Sequence, residues 1–341
     1  MEYILLFFIA GLGWLFFYKI RMPSAPMIGS MFGVGLAKIF GIGLATMPNW
    51  TMVISQIILG LLIGLKIEKD KFIIFRSYAL PAGLVVAWAI TSTTLLGWLL
   101  ISISNFSIST ALLGVTPGGL VEMSILALAF EADVPTVALL QLLRFVVILI
   151  SVPLIASNVS SESVVKDSIS AAKEEITYFA VDNVWFVISG VLVGITLYYL
   201  NFPVGGFVGS LLGSGFIKIF KPKAVGLSDT WFNLAQAGLG IIIGLKFSSV
   251  MVEEILQMAL VLLLFSAAMI FSGIVLALVL KKITGWELTT CLLASAPGGM
   301  AQMSVIGEAL GCDTLKISLL QLVRLLTIFL LMPILLNWYL G

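Results

Sequence analysis

The segment Thr116-Pro117-Gly118-Gly119-Leu120-Val121-Glu122-Met123-Ser124 decides how this chain folds, because it places helix-breaking residues inside an apolar stretch. Proline lacks a backbone N–H and clashes with the preceding turn, and glycine readily adopts positive φ. A second copy, Ala296-Pro297-Gly298-Gly299-Met300-Ala301-Gln302-Met303-Ser304, follows 180 positions later. A broken helix is tolerated in a bilayer only where protein buries it or it lines a cavity. Two breaks at matching positions therefore point to a transport site.

The composition is typical of a membrane protein. Of 341 residues, 60% are apolar and only 10% are charged, whereas soluble proteins carry roughly 25% charged residues. The formal net charge of +1 argues against a nucleic-acid partner. The chain has two cysteines and no histidine, so it lacks the commonest ligand of copper, zinc and non-haem iron. We expect no metal and no other cofactor.

Apolar segments divide the chain into a first repeat at residues 1–157, a polar linker at 158–182 and a second repeat at 183–341. Met1-Glu2 carries no positive charge and Lys19 and Arg21 follow the first apolar run, which indicates a span with its N-terminus outside rather than a cleaved signal peptide. Segments of spanning length lie at about 3–20, 23–45, 51–66, 77–103, 109–130, 134–157, 183–201, 203–220, 230–247, 252–280, 287–308 and 314–340.

The two halves are repeats at a constant offset of 180 residues. Polar residues and glycines match as well as apolar ones, which apolar composition alone would not produce, so we infer an internal duplication. Matched pairs include Pro23 and Pro203, Gln56 and Gln236, Gly60 and Gly240, Gly64 and Gly244, Lys66 and Lys246, Asp133 and Asp313, Gln141 and Gln321, Arg144 and Arg324, and Pro153 and Pro333.

Lysine and arginine collect on the cytoplasmic side of membrane proteins, and here they separate two topologies. If all six segments of each half span, the halves are parallel, and the basic residues other than Arg144 and Arg324 divide evenly, eight inside and eight outside. If the Pro-Gly-Gly segment enters and leaves on one side, the second half is inverted and only Lys38 and Lys246 fall outside. Fourteen then fall inside: Lys19, Arg21, Lys66, Lys69, Lys71, Arg76, Lys166, Lys173, Lys218, Lys221, Lys223, Lys281, Lys282 and Lys316.

We therefore predict an all-α polytopic membrane protein of two inverted repeats. Each repeat has about five spanning helices plus a Pro-Gly-Gly re-entrant hairpin or broken helix. In this topology the two Pro-Gly-Gly tips enter from opposite faces and meet near the midplane. Helix starts at the tips offer N–H groups to an anion, and freed carbonyls suit a cation such as sodium. The predicted substrate- or ion-binding residues there are Pro117, Gly118, Gly119, Ser124, Pro297, Gly298, Gly299 and Ser304; the alternative is a structural kink.

Arg144 and Arg324 each lie ten residues into an apolar segment, near mid-membrane. A charge there costs on the order of 3 kcal/mol on insertion scales, so an intramembrane arginine suggests a function. Gln141 and Gln321 precede the arginines by three residues and share their helix face. Two roles stay open: the arginines bind an anionic substrate that the glutamines orient, or they cap carbonyls freed by the breaks or pair with Glu122.

Glu122 marks an asymmetry between the repeats, because its counterpart is Gln302. One interpretation is a proton or sodium carrier that couples transport, and the other is a static ion pair with Arg144. We include both Glu122 and Gln302 among the predicted binding residues.

Two further predictions concern the scaffold. Asp133 and Asp313 precede the arginine-bearing segments and are expected to be helix N-caps. Small residues four apart favour close helix packing, and they occur as Gly29 and Gly33, Gly60 and Gly64, Gly209 and Gly213, and Gly240 and Gly244.

The repeated pattern Pro-Gly-Gly-x-x-Glu-Met, then Asp133, Gln141-x-x-Arg144 and Pro153, resembles the AbrB-type membrane-protein duplication family over nearly the whole chain. Gln302 departs from the pattern, which places a symmetric two-carboxylate site in doubt. Members carry labels such as "ammonia monooxygenase" and "transition-state regulator". An oxygenase would need metal ligands, yet the chain has no histidine and no carboxylate cluster at ligand spacing. The resemblance supplies no substrate.

The sequence favours a non-enzymatic secondary transporter or exporter of a small, anionic solute in the cytoplasmic membrane of a bacterium. It would work by alternating access, coupled to H⁺ or Na⁺, since no phosphate-binding Gly-x-x-x-x-Gly-Lys-Ser/Thr motif is present. The expected partners are the solute and the bilayer, and a homo-oligomer is compatible with the sequence. The alternatives are a membrane-embedded regulator that affects gene expression through a partner, and a membrane oxidoreductase.

Overall fold

The computed structural model describes residues 2–20, 22, 24–64, 78–157, 181–202, 204–220, 229–299, 303–304, 306–307 and 310–340. At residues 149–157, 181–184, 254 and 337–340 only the backbone is described. The described residues form helices and contain no strand, as expected for an all-α fold. Gln302 and most of the predicted linker at 158–182 lie outside them.

Helices lie where the apolar segments predicted them. Their bounds are α1 Glu2–Lys19, α2 Ala25–Ile39, α3 Asn49–Gly64, α4 Ala79–Ile103, α5 Ile108–Val115, α6 Leu120–Ala129, α7 Val134–Ser157, α8 Val181–Tyr199, α9 Gly205–Phe220, α10 Asp229–Gly244, α11 Ser249–Gln257, α12 Ala259–Thr284, α13 Leu288–Ser295 and α14 Thr314–Leu340.

One predicted segment, 252–280, differs from the structure. The chain there forms a short amphipathic helix, α11, which carries Glu253 and Glu254, and then α12, which extends to Thr284. The apolar helix continues past Lys281 and Lys282 because cations are favourable at a helix C-terminus. It ends where Gly285 adopts φ 69° and donates its N–H to the carbonyl of Lys281.

The chain forms two compact units, and each unit contains part of both repeats. The first comprises Met1–Ile73 and Lys173–Ile255, and the second comprises Ile74–Ala172 and Leu256–Gly341. The duplication therefore does not produce one compact unit per repeat. Instead, each repeat contributes its first helices to one unit and its broken helix to the other.

Unit 1 contains α1, α2 and α3 from the first repeat and α8, α9 and α10 from the second. The central helices α2 and α9 pack on helices of both repeats, α2 on α1 and α10, and α9 on α8 and α3. Glycines allow this packing, because a Cβ on Gly60 would lie 2.4 Å from the carbonyl oxygen of Phe207, and one on Gly240 would lie 2.3 Å from that of Met27. The prediction that the spaced glycines mediate close helix packing is confirmed.

Alanine at position 13 should destabilise unit 1 by about 1–3 kcal/mol, because a Cβ there would lie 2.1 Å from the carbonyl oxygen of Gly29, and a backbone atom cannot move aside without separating α1 from α2. Gly11, on the same helix, provides the matched control, since nothing lies within 4 Å of its added Cβ. Thermal unfolding of Gly13→Ala and Gly11→Ala in one detergent measures the difference. Equal midpoints would show that this contact does not limit stability.

Unit 2 contains both broken helices and the two arginine-bearing helices. The parts of the first broken helix, α5 and α6, pack on α7, and α13 of the second repeat packs on α14. Helices of one repeat also pack on the arginine-bearing helix of the other repeat: α4 packs against α14, and α12 packs against α7. Residues of both repeats share a buried core that includes Val85, Ile148, Leu276, Leu293 and Leu320. This packing between the repeats brings the two breaks into one unit.

The arginine-bearing helices begin at the predicted aspartates. Asp313 accepts the N–H of Lys316 at 3.2 Å, which is N-cap geometry, and its other oxygen lies 2.8 Å from the Lys316 ammonium. Burial alone would raise the pKa of Asp313, but its hydrogen bonds to Lys316 and that residue's charge outweigh burial and hold the pKa below its ordinary value. Asp133 precedes Val134, the first residue of α7, and its carboxylate accepts the hydroxyl of Thr136.

Within the described residues, four helices are long and apolar enough to cross a membrane, namely Glu2–Lys19, Ala79–Ile103, Ala259–Thr284 and Thr314–Leu336. Several others are shorter; α2, with 15 residues, rises only about 22 Å against a hydrocarbon core of about 30 Å. The exposed side chains of the long helices are largely apolar, as Phe8 on α1 and Leu260 on α12 illustrate. Five spans per repeat stays a prediction.

Candidate functional site

Each Pro-Gly-Gly segment interrupts a helix, as predicted. The first part, α5, ends at Val115 with Thr116 as its C-cap, and α6 begins at Leu120 after Gly119. In the second repeat α13 ends at Ser295, and the chain is helical again at residues 303–304 and 306–307. A re-entrant course for these segments stays a prediction.

The breaks leave backbone carbonyls without their usual helical donors. Proline has no N–H, and the turn that follows it does not continue the helical ladder. The carbonyls lie in a buried part of unit 2, where an unpaired one would cost free energy. Polar side chains from α7 and α14 supply the missing donors.

In the first repeat Gln141 and Arg144 hold the break together. The amide nitrogen of Gln141 donates to the carbonyls of Leu113 at 2.9 Å and Thr116 at 3.2 Å. The guanidinium of Arg144 donates to Thr116 at 2.9 Å and to Gly118 at 2.7 Å, and also to the side-chain oxygen of Gln141. Arg144 is only 2% exposed, so water cannot replace these donors.

The second repeat reproduces this geometry residue for residue. Gln321 donates to Leu293 at 2.8 Å and to Ala296 at 3.1 Å. Arg324, 3% exposed, donates to Ala296 and to Gly298, both at 2.6 Å, and to the side-chain oxygen of Gln321 at 2.5 Å. Equal spacing in sequence therefore produces equal contacts, although Thr116 of one break is replaced by Ala296 in the other.

These contacts account for one of the two roles that the sequence left open. Both arginines cap carbonyls freed by the breaks, and both glutamines assist them. The arginines nevertheless retain donors, because a guanidinium has five N–H groups. The buried Nε of Arg144 and that of Arg324 have no hydrogen-bond partner within the described part of the chain. Capping and anion binding are therefore compatible.

A small cavity, of about 10 Å³, lies where the two breaks meet. Its described lining comes from both repeats and comprises Gly118, Gly119, Glu122, Met123, Gly298, Gly299, Gln321, Arg324, Leu325, Ile328 and Phe329. The tips therefore do converge, with glycine backbone on both sides. Since most of the other lining residues are apolar, the charged groups of Glu122 and Arg324 stand out.

The carboxylate of Glu122 lies directly over the first tip. A Cβ on Gly119 would lie 2.0 Å from its Oε2, so a larger residue there would displace the carboxylate from this position. The charge of Glu122 attracts that of Arg324, which belongs to the other repeat, and Arg324 in turn repels Arg144. Three charged groups thus act on one another around the two breaks.

The other predicted binding residues are not all brought to the cavity. Ser124 is buried and donates to the carbonyl of Leu120 at 2.7 Å, and it is not among the described lining residues. Ser304, Gln141 and Arg144 are also absent from the described cavity lining. Pro117 and Pro297 shape the breaks without lining the cavity.

The apolar side chains that line the cavity were not among the predicted binding residues. Leu325 and Ile328 follow Gln321 by four and seven residues, which places them on the same face of α14. That spacing could have identified them from the sequence. Met123 also lines the cavity, and its side chain packs against Gly118, where an added Cβ would lie 2.5 Å from the Met123 methyl group.

Within the described residues, no three His, Cys, Asp or Glu side chains form a group that could hold a metal ion. Together, these features define a class: a duplicated, all-helical protein with membrane-length helices and two arginine-capped helix breaks around a shared cavity.

The sequence profile of the family described as "Transition state regulatory protein AbrB" matches the chain twice, over residues 1–160 and 152–340. The chain therefore belongs to this family, and the double match agrees with the internal duplication. It is 26% identical to "Uncharacterized protein YhjN" of Bacillus subtilis over 299 residues, which cover 83% of this chain and 77% of that protein. It is 24% identical to "Putative regulator AbrB" of Escherichia coli over 325 residues, covering 93% and 90%. No solved structure matches the chain.

Proposed function

We propose that this protein is a multi-pass transporter of the bacterial cytoplasmic membrane that moves a small anionic solute by alternating access. The observation that carries the proposal is the cavity between the two Pro-Gly-Gly breaks, where glycine backbone, Glu122 and Arg324 meet. Broken helices contributed by both repeats are the usual construction of a secondary-transporter site. The anionic charge of the solute is inferred from Arg324, the basic residue of the described lining.

Several features of the lining support a solute that is both small and anionic. The cavity is small in this conformation, about 10 Å³, so we expect a small solute that enters as the two breaks separate during alternating access. The retained N–H donor on Arg324 and the helix start at Leu120 both favour negative charge. The apolar side chains of Leu325 and Phe329 favour a solute with some carbon framework.

The energy source would be a gradient of H⁺ or Na⁺. Glu122 is the acidic residue among the described cavity lining and is the natural carrier of such an ion. Binding there would change the charge that Arg324 experiences. The coupling ion and the solute would therefore act on the same arginine.

Transport currents test the proposal. Purified protein is reconstituted into phosphatidylethanolamine–phosphatidylglycerol vesicles, and a panel of monocarboxylates, dicarboxylates and phosphate is applied under an imposed pH or Na⁺ gradient. At least one anion should produce a current that protein-free vesicles lack. Thr91→Val, which removes an exposed hydroxyl bonded only to its own helix, should match wild type. Absence of anion-dependent current under both gradients would contradict a transport function.

A regulatory function is the second candidate, and it is suggested by the names of the family and of the Escherichia coli relative. It would require a surface that a partner can reach from solution. A change in gene expression that survives Arg324→Lys, together with loss of any transport current, would favour this candidate over transport.

A further inference from the structure

We propose that Glu122 competes with the transported anion for Arg324, so that one proton must bind Glu122 for each anion that enters the cavity. This inference rests on the proposed transport function and specifies how that same site is coupled. It makes the coupling ion a proton and the stoichiometry one to one.

The Glu122 carboxylate and the transported anion would occupy the same part of the cavity, beside Arg324. Glu122 and Arg324 line the same cavity, and their charges attract each other across the two repeats. An anion that reaches Arg324 must therefore lie beside the carboxylate. Repulsion between two negative charges is strong where little water is present. Protonation of Glu122 removes that repulsion and releases Arg324.

Arg324 has a hydrogen-bond donor left for an anion after its capping bonds are made. Its two terminal nitrogens are engaged by the carbonyls of Ala296 and Gly298 and by the side chain of Gln321. Its Nε is buried without a hydrogen-bond partner in the part of the chain that the structure describes. The arginine can therefore retain its capping bonds and still donate to an anion. Its guanidinium need not move when the anion binds.

Within the part of the chain that the structure describes, few other charged groups lie on the helices around Glu122. Arg324 on α14 acts on it, and Arg144 on α7 acts in turn on Arg324. The helices α4 and α5 carry no ionisable residue, and α13 carries only Cys291. In the second repeat the sequence counterpart of Glu122 is Gln302, an amide that cannot act as a second proton carrier. One carboxylate therefore implies one proton in each cycle.

The pH dependence of anion affinity tests this inference. Thermal unfolding of the detergent-purified protein is followed with lactate, benzoate or succinate as probes, and the stabilisation at each pH gives the affinity. In wild type, affinity should fall about tenfold for each unit of rising pH once Glu122 is ionised. In Glu122→Gln, which mimics the protonated residue, affinity should be high and independent of pH.

Glu131→Gln is the matched control, because it removes an exposed carboxylate just beyond α6 by the same chemical change. It should retain the wild-type slope. If Glu122→Gln binds the probe with the wild-type slope, the competition is wrong while transport still stands. If wild type binds and transports none of the probes, the proposed function fails and this inference fails with it.

Discussion

Methionine in place of Arg144 should lower the free energy of unfolding by about 2–4 kcal/mol. The replacement leaves the carbonyl of Gly118 and the side-chain oxygen of Gln141 without the donors that Arg144 supplies. The carbonyl of Thr116 is spared, because Gln141 also donates to it. Removal of a buried charge offsets part of the loss, which is why the expected effect is not larger. Thermal or denaturant unfolding in a single detergent measures it.

Two comparisons show whether the capping bonds cause the loss. Thr91→Val, which affects an exposed hydroxyl on α4, should unfold as wild type does. Gln141→Leu should be destabilised to a similar degree, because it removes the side-chain donor to the carbonyls of Leu113 and Gly114, whereas Arg144 still donates to Thr116. A stability of Arg144→Met equal to that of wild type would contradict the capping role.

Lysine at position 324 should reduce solute transport by about 10- to 100-fold, the loss that corresponds to a charged hydrogen bond of about 1.5–3 kcal/mol. Lysine keeps the positive charge, but its three donors share one nitrogen and lack the planar fork with which Arg324 reaches two carbonyls and Gln321 while keeping its Nε donor. Arg144→Lys should reduce transport much less, because Arg144 does not belong to the described cavity lining whereas Arg324 does. The vesicle current assay measures both variants with the anion that gives the largest wild-type current.

The two variants control for each other's structural effect. Both arginines cap equivalent carbonyls at similar distances, so both lysine variants should lose comparable stability. A difference in transport then reports on the cavity and not on the fold. Equal loss of transport in both would indicate that the arginines act only through the shape of the breaks.

Local chemistry made much of the fold predictable. The breaks follow from Pro117 and its counterpart Pro297, because proline removes a donor wherever it stands. Apolar segment lengths predicted the positions of most helices, and the error at 252–280 arose where a short amphipathic helix with two glutamates precedes the long apolar one. The duplication was visible because glutamines, arginines and glycines recur at one offset, and the family profile confirms it.

Packing between segments that are distant in the sequence was harder to predict. The sequence placed Gln141 and Arg144 on one helix face, but it did not decide whether they cap carbonyls or bind a substrate. Their role depends on whether these side chains on α7 reach the carbonyls at the end of α5, and tertiary packing sets that distance. The same packing directed Arg324 to the cavity and kept Arg144 away from its described lining, although the two have equivalent sequence contexts.

The sequence by itself determined the two helix breaks, the repeated architecture and the presence of one carboxylate against two arginines, because each depends on residue type and local spacing. Only the tertiary structure decided that Glu122 of the first repeat faces Arg324 of the second across a shared cavity. The physical reason is that α4 and α12 each pack on the opposite repeat's arginine-bearing helix. That exchange unites residues about 200 positions apart, and no local pattern encodes it.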